Sequence, residues 1–371
     1  MGFFQRFAVS ALLVAGSIAF SLGLIEAGLR VIDHPRHEAR ILCLDAIMGN
    51  VYCPNIAERL DNMYDSTLLV TINSEGMADR EYVASKPANT IRIALLGDSV
   101  AASLYTPNPE KYKSLWEAAL SRRFGRPVEI MNFAIDGTGT WEQLQMFHLR
   151  ARRFQPDFVV LAFYWGNDIW GNLASRDRGR ANPLKDEYSV PSSVMSVRVA
   201  HRKQIRWLWN NSAAYQFLDT LKEKIETMLA VKRALPAAAP ATGVANVAAA
   251  AINDPALAWD SEAWQLTRQL ILKLKSETDQ AGASLLLFHL PTLDQVESKQ
   301  NLPVATFREF LLQSNIGQAD AFEPLSKLTS AQRTALYIGD RWHLTGEGHR
   351  FFATESLPAL EAFIERRTAA Q

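Results

Sequence analysis

From residue 91 onward, short and largely apolar runs alternate with longer stretches whose apolar positions recur at helical spacing. Runs of this kind suit strands that are buried on both faces of a parallel sheet. The predicted strands are Ile91–Leu96, Val128–Asn132, Phe158–Tyr164, Ser284–His289 and Ala335–Ile338.

The stretches between these runs predict amphipathic helices that cover the sheet. They lie near Glu110–Phe124, Trp141–Phe154, Ser261–Gln280 and Glu347–Arg366. The alternation predicts an α/β fold in three layers, α/β/α, around a doubly wound sheet. We expect a mostly parallel, five-stranded, flavodoxin-like sheet in a domain that spans residues 91–368.

The N-terminus differs from the rest of the chain. Phe7–Ile25 is an uninterrupted stretch of apolar and small residues, about long enough to cross a hydrocarbon core of roughly 30 Å as a helix. A cleaved signal peptide has a shorter apolar region and a clear small-x-small site, of which Ala15-Gly16-Ser17 is a poor version. The sequence predicts a transmembrane anchor over residues 1–30, with a cleaved signal or a buried helix as alternatives.

Residues 31–90 predict an irregular linking segment with one short strand at Leu68–Ile72. Cys43 and Cys53 can close a small loop in an oxidising compartment, or remain free thiols in the cytosol. We favour the disulfide and a single-pass membrane protein whose main domain is extracytoplasmic, in the periplasm. The arginines around the anchor do not decide its orientation.

One stretch interrupts the alternation of strands and helices. Gln204–Arg233 predicts a long helix, and Ala234–Ala251 is an uncharged, alanine- and proline-rich linker. We expect residues 204–259 to be an insertion that packs on the domain. The alternative is a lid or docking element that brings Trp207 and Trp209 near the active site.

Composition excludes several classes of partner. Lysine plus arginine equals aspartate plus glutamate at 39 each, so the chain has no basic excess that would attract nucleic acid. The two cysteines do not complete a metal coordination shell without further cysteines or well-placed histidines. We predict no metal and no organic cofactor.

Two motifs carry candidate chemistry. Gly97-Asp98-Ser99 follows the first predicted strand of the sheet, where a serine hydroxyl would be exposed at a tight turn. Asp340 and His343 follow the last predicted strand, and their spacing places a carboxylate beside an imidazole. Together they supply the nucleophile, base and orienting group of acyl transfer. The alternatives are a simple helix cap for Asp98 and Ser99, and His289 as a reserve base.

Two further residues lie between these motifs, each after a predicted strand. Gly137 allows the backbone to approach a substrate and present an N–H, and Asn167 can donate its side-chain amide to an oxyanion. An ordinary glycine turn and an Asx turn are the alternatives. With the Ser99 N–H, the two residues would complete an oxyanion hole.

The order Ser99, Gly137, Asn167 and Asp340/His343 resembles the SGNH hydrolases, also called the GDSL esterase/lipase family. The resemblance covers roughly residues 91–365, and Val100 replaces the leucine of the longer motif. Asn73–Gly76, Arg80 and the anchor are similar to membrane-anchored bacterial members. The resemblance implies a Ser99–His343–Asp340 acyl-enzyme mechanism without a cofactor.

The anchored members resemble proteins that modify exopolysaccharides and the cell envelope. We therefore expect a membrane-tethered serine esterase or O-acetyltransferase that acts on an O-acylated glycan. Its expected partners are that substrate, the inner membrane and proteins of envelope biosynthesis. One alternative is a lipid esterase, motivated by Trp207, Trp209 and the tether. Another is a non-catalytic scaffold that binds glycan, although a scaffold has no chemical need for the full residue set.

Overall fold

In the computed structural model, the described residues are 3–32, 41–45, 47–61, 67–177, 181–188, 212–215, 217–218, 221, 258–297 and 302–369. The predicted helix and linker of the insertion, residues 204–259, lie almost entirely outside this set.

The first helix, α1 (Phe3–Ile32), contains the predicted anchor. Its segment Leu12–Val31 has a mean hydropathy of 1.9, and none of it is buried against the rest of the chain. By length and composition this helix can cross a bilayer. Signal sequences share both properties, so the anchor stays a prediction.

The linking segment is more ordered than predicted, because it contains two antiparallel hairpins. One pairs β1 (Leu42–Asp45) with β2 (Gly49–Tyr52), and the other pairs β3 (Ile56–Asp61) with β4 (Thr67–Ile72). The predicted strand Leu68–Ile72 lies within β4. Cys43 and Cys53 form the favoured disulfide across the first hairpin.

Five parallel strands form the central sheet, which confirms the predicted fold class. They are β5 (Ile91–Leu96), β6 (Val128–Asn132), β7 (Phe158–Tyr164), β8 (Ser284–Leu290) and β9 (Gly317–Ala319). Their spatial order is β6-β5-β7-β8-β9, the flavodoxin-like order. Strands β5 and β7 are buried along their full length, as the apolar runs predict.

The predicted fifth strand, Ala335–Ile338, is wrong. Ala335 ends a short helix, and Tyr337 makes only a single antiparallel bridge to Leu344. The edge position belongs instead to β9, where Gly317 lies so close to Phe363 that a Cβ would sit 2.4 Å from its ring. Within the run, Leu336 and Tyr337 are buried without belonging to the sheet.

The helices cover both faces of the sheet. They are α2 (Ser99–Ala102), α3 (Tyr112–Phe124), α4 (Thr140–Leu149), α5 (Asp168–Asp177), α6 (Glu262–Gln280), α7 (Leu293–Glu297), α8 (Val304–Gln313), α9 (Phe322–Lys327), α10 (Ser330–Ala335) and α11 (Gly346–Thr368). Helix α11 packs on α3, whereas α6 packs on α4 and α5. Four of them, α3, α4, α6 and α11, fall on the predicted stretches.

The strand order fixes where a site can form. The chain passes from β5 outward to β6 and then returns across β5 to β7, so β5 and β7 flank the topological switch point. In open parallel sheets, ligands bind at the carboxyl ends of strands beside such a point. Ser99 and Asn167 follow β5 and β7 respectively, which brings both to this crevice.

Candidate active site

The turn after β5 presents Ser99 at the beginning of α2. Asp98 caps this helix, because its Oδ1 accepts a backbone N–H of the first turn at 2.9 Å. Gly97 permits the close approach of strand and helix, since a Cβ there would lie 2.5 Å from the Ala101 Cβ. The predicted nucleophile is thus fixed at the end of a buried strand.

His343 joins Ser99 to Asp340. Its Nε2 lies 2.8 Å from Ser99 Oγ, and its Nδ1 is hydrogen-bonded to Asp340 Oδ2. A carboxylate can only accept, which assigns the ring proton to Nδ1 and leaves Nε2 free to accept the serine proton. The three predicted groups form one continuous chain of hydrogen bonds.

The loop that carries His343 is tightly held. Asp340 Oδ1 accepts the backbone N–H groups of Trp342 and His343 at 2.9 and 3.0 Å. Arg341 has a left-handed backbone with φ of 65°, which costs a non-glycine residue about 1 kcal/mol. Its guanidinium bonds to Asp294 at 2.7 Å and also to Glu297, and these contacts hold the strained residue in place.

The charges around the imidazole favour its protonated form. Burial opposes that form, but the hydrogen bond and charge of Asp340, with the charges of Asp136 and Asp98, raise the pKa of His343 above its ordinary value. The His343 side chain is 14% exposed, so the ring is shielded but reachable. A raised pKa makes the imidazole a stronger base toward the Ser99 hydroxyl.

Asp98, which precedes Ser99 in the chain, has no exposed surface. Burial raises the pKa of Asp98 to about 7, although the backbone bond from Val100 and the charge of His343 lower it. Among the described residues, its Oδ2 is buried without a hydrogen-bond partner. The carboxyl therefore titrates near neutral pH while it serves as a cap.

Gly137 lies in a turn that is hydrogen-bonded to the Gly97–Ser99 turn. Its φ of +70° is a left-handed conformation that favours glycine. The turn is joined to the Gly97 carbonyl by the Ile135 N–H at 3.1 Å and by the Thr138 hydroxyl at 3.0 Å. Its backbone thus runs beside the turn that carries Ser99.

Asn167 immediately precedes α5, and its carbonyl accepts the Gly171 N–H at 2.7 Å. Its side chain lies beside Asp98 and lowers the pKa of that carboxyl. In the described part of the chain, its buried Oδ1 has no partner. The third predicted oxyanion residue therefore also adjoins the Ser99 turn.

The reserve base lies elsewhere. His289 has no exposed surface, and its Nδ1 accepts the Trp165 indole N–H at 3.2 Å. Burial lowers the pKa of His289 to about 4, which keeps the ring neutral in the core. The structure pairs Ser99 with His343 instead.

Two tyrosines lie beside the site although no sequence motif predicts them. Tyr105 packs edge-on against His343 with ring centroids 5.1 Å apart. Tyr52, from the first hairpin, is hydrogen-bonded to Asp136 at 2.7 Å, across 84 residues of sequence. A contact at that separation leaves no signal in local spacing.

No group of three or more His, Cys, Asp or Glu side chains that could hold a metal occurs within the described ranges.

Comparison with known proteins gives a family-level match. The model of a family described as GDSL-like lipase/acylhydrolase matches residues 93–355, well over half of the chain. No curated protein matches the sequence.

Similar solved structures include three bacterial enzymes. The psychrotrophic esterase EstA from Pseudoalteromonas sp., inhibited by monoethylphosphonate, is 11% identical, with 75% of this chain and 99% of that chain covered and a TM-score of 0.40. A lipase/acylhydrolase from Enterococcus faecalis is 11% identical, with 73% and 96% covered and a TM-score of 0.38. A mutant of Axe2, an acetyl-xylooligosaccharide esterase from Geobacillus stearmophilus, is 14% identical, with 72% and 93% covered and a TM-score of 0.39.

Proposed function

The chain belongs to the GDSL-like lipase/acylhydrolase family of serine ester hydrolases, and we propose that it hydrolyses or transfers an acyl group carried by a glycan. In this proposal Ser99 is the nucleophile, His343 the general base and Asp340 the orienting carboxylate. One observation carries it: the His343 imidazole is hydrogen-bonded to Ser99 on one side and to Asp340 on the other.

The proposed reaction begins when Ser99 Oγ attacks the ester carbonyl and its proton passes to His343 Nε2. The carbonyl oxygen becomes an oxyanion, which the Ser99 and Gly137 N–H groups and the Asn167 side-chain amide bind. Each such donor contributes about 3 kcal/mol to transition-state stabilisation. His343 then gives its proton to the leaving alkoxide, and an acyl group remains on Ser99.

Deacylation determines whether the enzyme is a hydrolase or a transferase. His343 can take a proton from water, whose oxygen then attacks the acyl carbon and gives a free acid, or from a sugar hydroxyl, whose oxygen attacks in the same way and gives a new ester. In both cases the bond between Ser99 Oγ and the acyl carbon breaks, and His343 returns its proton to Ser99 Oγ. Both outcomes use the same triad and the same oxyanion donors. The proposal therefore covers esterase and O-acyltransferase activity as two fates of one acyl-enzyme.

The N-terminal region supports an extracytoplasmic location for this chemistry. Helix α1 is long and apolar enough to tether the chain, and the Cys43–Cys53 disulfide suits an oxidising compartment such as the periplasm. A glycan of the envelope or an exopolysaccharide would be accessible there. Trp342, 45% exposed and adjacent to His343 in sequence, adds an aromatic surface of the kind that sugar rings contact.

A fluorophosphonate probe tests the nucleophile. The wild-type protein should be labelled, and Ser99→Ala should abolish labelling. Ser103→Ala is the matched control, because the Ser103 hydroxyl is buried and bonded to the Val100 carbonyl at 2.6 Å. Unlabelled but well-folded wild-type protein would contradict the enzyme proposal and favour the glycan-binding scaffold.

Substrate preference tests the acyl carrier. Acetyl release from an aryl ester should be measured with and without oligosaccharide acceptors, beside hydrolysis of long-chain lipid esters. We expect short acyl groups and acetylated sugars to be preferred. Capture of the acyl group by the acceptor would identify a transferase, and preference for long-chain lipid esters would contradict the glycan proposal.

A further inference from the structure

A buried tyrosine from outside the matched family domain contacts the turn that carries Gly137. Tyr52 is the last residue of β2, and the family match begins only at residue 93. Its hydroxyl donates to Asp136 Oδ1 at 2.7 Å and accepts the Asp136 backbone N–H at 3.2 Å. Tyr52 thus holds one residue by both its side chain and its backbone.

The Tyr52 hydroxyl remains a donor throughout the ordinary pH range. The ring has no exposed surface, and burial, with the charge of Asp136, raises the pKa of Tyr52 well above its usual value. A neutral hydroxyl can donate one hydrogen bond and accept another at once. The contact with Asp136 uses both capacities.

The first hairpin is itself anchored in several ways. The disulfide joins Cys43 to Cys53, the residue that follows Tyr52, and the Cys53 N–H donates to the Ile41 carbonyl at 2.7 Å. Asp45 is paired with Arg150 of the domain at 3.4 Å. Tyr52 therefore reaches Asp136 from a constrained element.

The turn is held from its opposite side by the domain. Thr138 Oγ1 lies within hydrogen-bond distance of the Ile135 carbonyl at 2.8 Å and the Gly97 carbonyl at 3.0 Å. Gly137 lies between Asp136 and Thr138, so residues fixed by separate elements flank its N–H. Glycine has a wide range of backbone conformations, and neighbours that restrict it can set the direction of its N–H.

We propose that Tyr52 is a positioning residue: it fixes Asp136 and thereby aims the Gly137 N–H at the oxyanion that develops on the substrate. The inference rests on the proposed function, in which Gly137 is an oxyanion donor. In this proposal the disulfide-bonded hairpin, through Tyr52, helps to position an oxyanion donor. The interaction matters most in the transition state, because the oxyanion forms only there.

Removing the Tyr52 hydroxyl should mainly lower kcat. Loss of a whole oxyanion donor costs about 10²–10³-fold in kcat, so a donor that is present but misaligned should cost about 10–100-fold. KM should stay within about twofold, since substrate binding itself is little altered. We therefore expect Tyr52→Phe to have a lower kcat and a nearly unchanged KM.

Three variants separate positioning from general stability. Asp136→Ala should lose at least as much activity as Tyr52→Phe, because it also removes a charge that raises the pKa of His343. The double variant should be little worse than Asp136→Ala, because the Tyr52–Asp136 interaction is already absent there. Asp136→Asn, whose amide oxygen can still accept from Tyr52, should retain more activity than Asp136→Ala. Additive losses in the double variant would overturn the proposal.

Tyr82→Phe is the matched control. Tyr82 is also buried, and its hydroxyl is bonded to the Asp79 carboxylate at 3.0 Å, away from the Gly137 turn. Tyr82→Phe should lower the melting temperature and leave kcat unchanged. If Tyr52→Phe shows the same pattern, the role of Tyr52 is structural only and the inference is wrong.

Hydrogen exchange gives a readout that does not require activity. The backbone amides of Asp136 and Thr138 should exchange faster in Tyr52→Phe than in the wild type, with no such change in Tyr82→Phe. Unchanged exchange together with wild-type kcat would overturn the inference. If the wild-type protein cleaves no ester, the proposed function fails. Unchanged exchange would then still overturn the claim that Tyr52 fixes this turn, and with it the inference.

Discussion

Strand β5 has a buried charged residue at each end, and the two residues differ in how completely they are hydrogen-bonded. Arg92, near the beginning of the strand, and Asp98, just beyond its end, both have no exposed surface. The Arg92 side chain makes four hydrogen bonds: one to the Glu129 carboxylate at 2.7 Å and three to backbone carbonyls at 2.7–3.0 Å. Asp98 Oδ1 accepts a backbone N–H and the Asn167 side chain lies beside the carboxyl, but the Asp98 Oδ2 has no hydrogen-bond partner in the described part of the chain.

This difference separates a buried charge that supports the fold from one that lies at the proposed active site. A fully bonded buried charge is neutralised and rigid, which suits a structural role. An under-bonded carboxyl with a raised pKa is costly to the fold and is found where chemistry needs adjustable charge. The amino end of the sheet should therefore govern stability, and the carboxyl end should govern activity.

The largest expected effect lies at the carboxyl end. Asp340→Asn should reduce kcat on the order of 10⁴-fold, because an amide no longer stabilises the imidazolium and can select the wrong ring tautomer. Stability should change little, since the asparagine oxygen can still accept the backbone N–H groups of Trp342 and His343. Ester hydrolysis and thermal unfolding measure the two quantities.

The pH dependence sharpens this prediction. In the wild type, kcat/KM should rise with pH through the raised pKa of His343, because only the neutral ring accepts the serine proton. Removing the Asp340 charge lowers the pKa of His343, so the rise in kcat/KM should occur at lower pH in Asp340→Asn. Asp294→Asn is the control, because it weakens only one of the two carboxylate contacts of Arg341. A loss in this control as large as in Asp340→Asn would contradict the prediction.

The next effect lies at the amino end. Arg92→Leu should lower the free energy of unfolding by about 3–5 kcal/mol, because it leaves Glu129 and three carbonyls without their donor. The activity of the protein that remains folded should be unchanged. Urea unfolding and kcat per folded molecule measure the two quantities.

Arg123→Leu provides the comparison for that measurement. Arg123 forms an exposed pair with Glu365, with side chains 54% and 45% exposed. Such pairs contribute less than about 1 kcal/mol. If Arg92→Leu were as mild as Arg123→Leu, the amino end would not have the stabilising role assigned to it.

The last prediction concerns the pH dependence of stability, where the expected change per pH unit is smaller than either effect above. The pKa of Asp98 is raised to about 7 in the folded state, so that state holds its proton more tightly than the unfolded chain does. Stability should fall as pH rises from about 4 to about 7, by at most about 1.4 kcal/mol per pH unit from this group. Asp98→Asn keeps the capping oxygen and should flatten this slope. An unchanged slope would show that Asp98 is not the group responsible.

Four of the five predicted strands correspond to β5, β6, β7 and β8, whose short apolar runs are largely buried on both faces of the sheet, which is why the sequence could predict them. Strand β9 could not be predicted in this way, because it has three residues and includes the polar Gln318. The apolar run at Ala335–Ile338 is satisfied by packing from a helix end. Whether a short run joins the sheet depends on the strand available to pair with it, and local sequence does not show that partner.

The candidate site also contains residues with a local sequence signal and residues placed only by tertiary packing. Asp340 and His343 meet through a local turn, so their spacing was informative, and Ser99 follows a strand that the pattern predicts. Tyr52 and Tyr105 reach the site through tertiary packing, and no spacing predicts them. The catalytic roles of Ser99, His343 and Asp340 remain a proposal that activity must test.

The most direct test is to trap the acyl-enzyme. Wild-type protein should be mixed with an activated acetyl ester, quenched in acid within one turnover and digested for mass spectrometry. The account predicts acetylation of the peptide that contains Ser99, with none in Ser99→Ala. Rapid ester turnover with no acylated Ser99 peptide, or with the acetyl group on another residue, would contradict it.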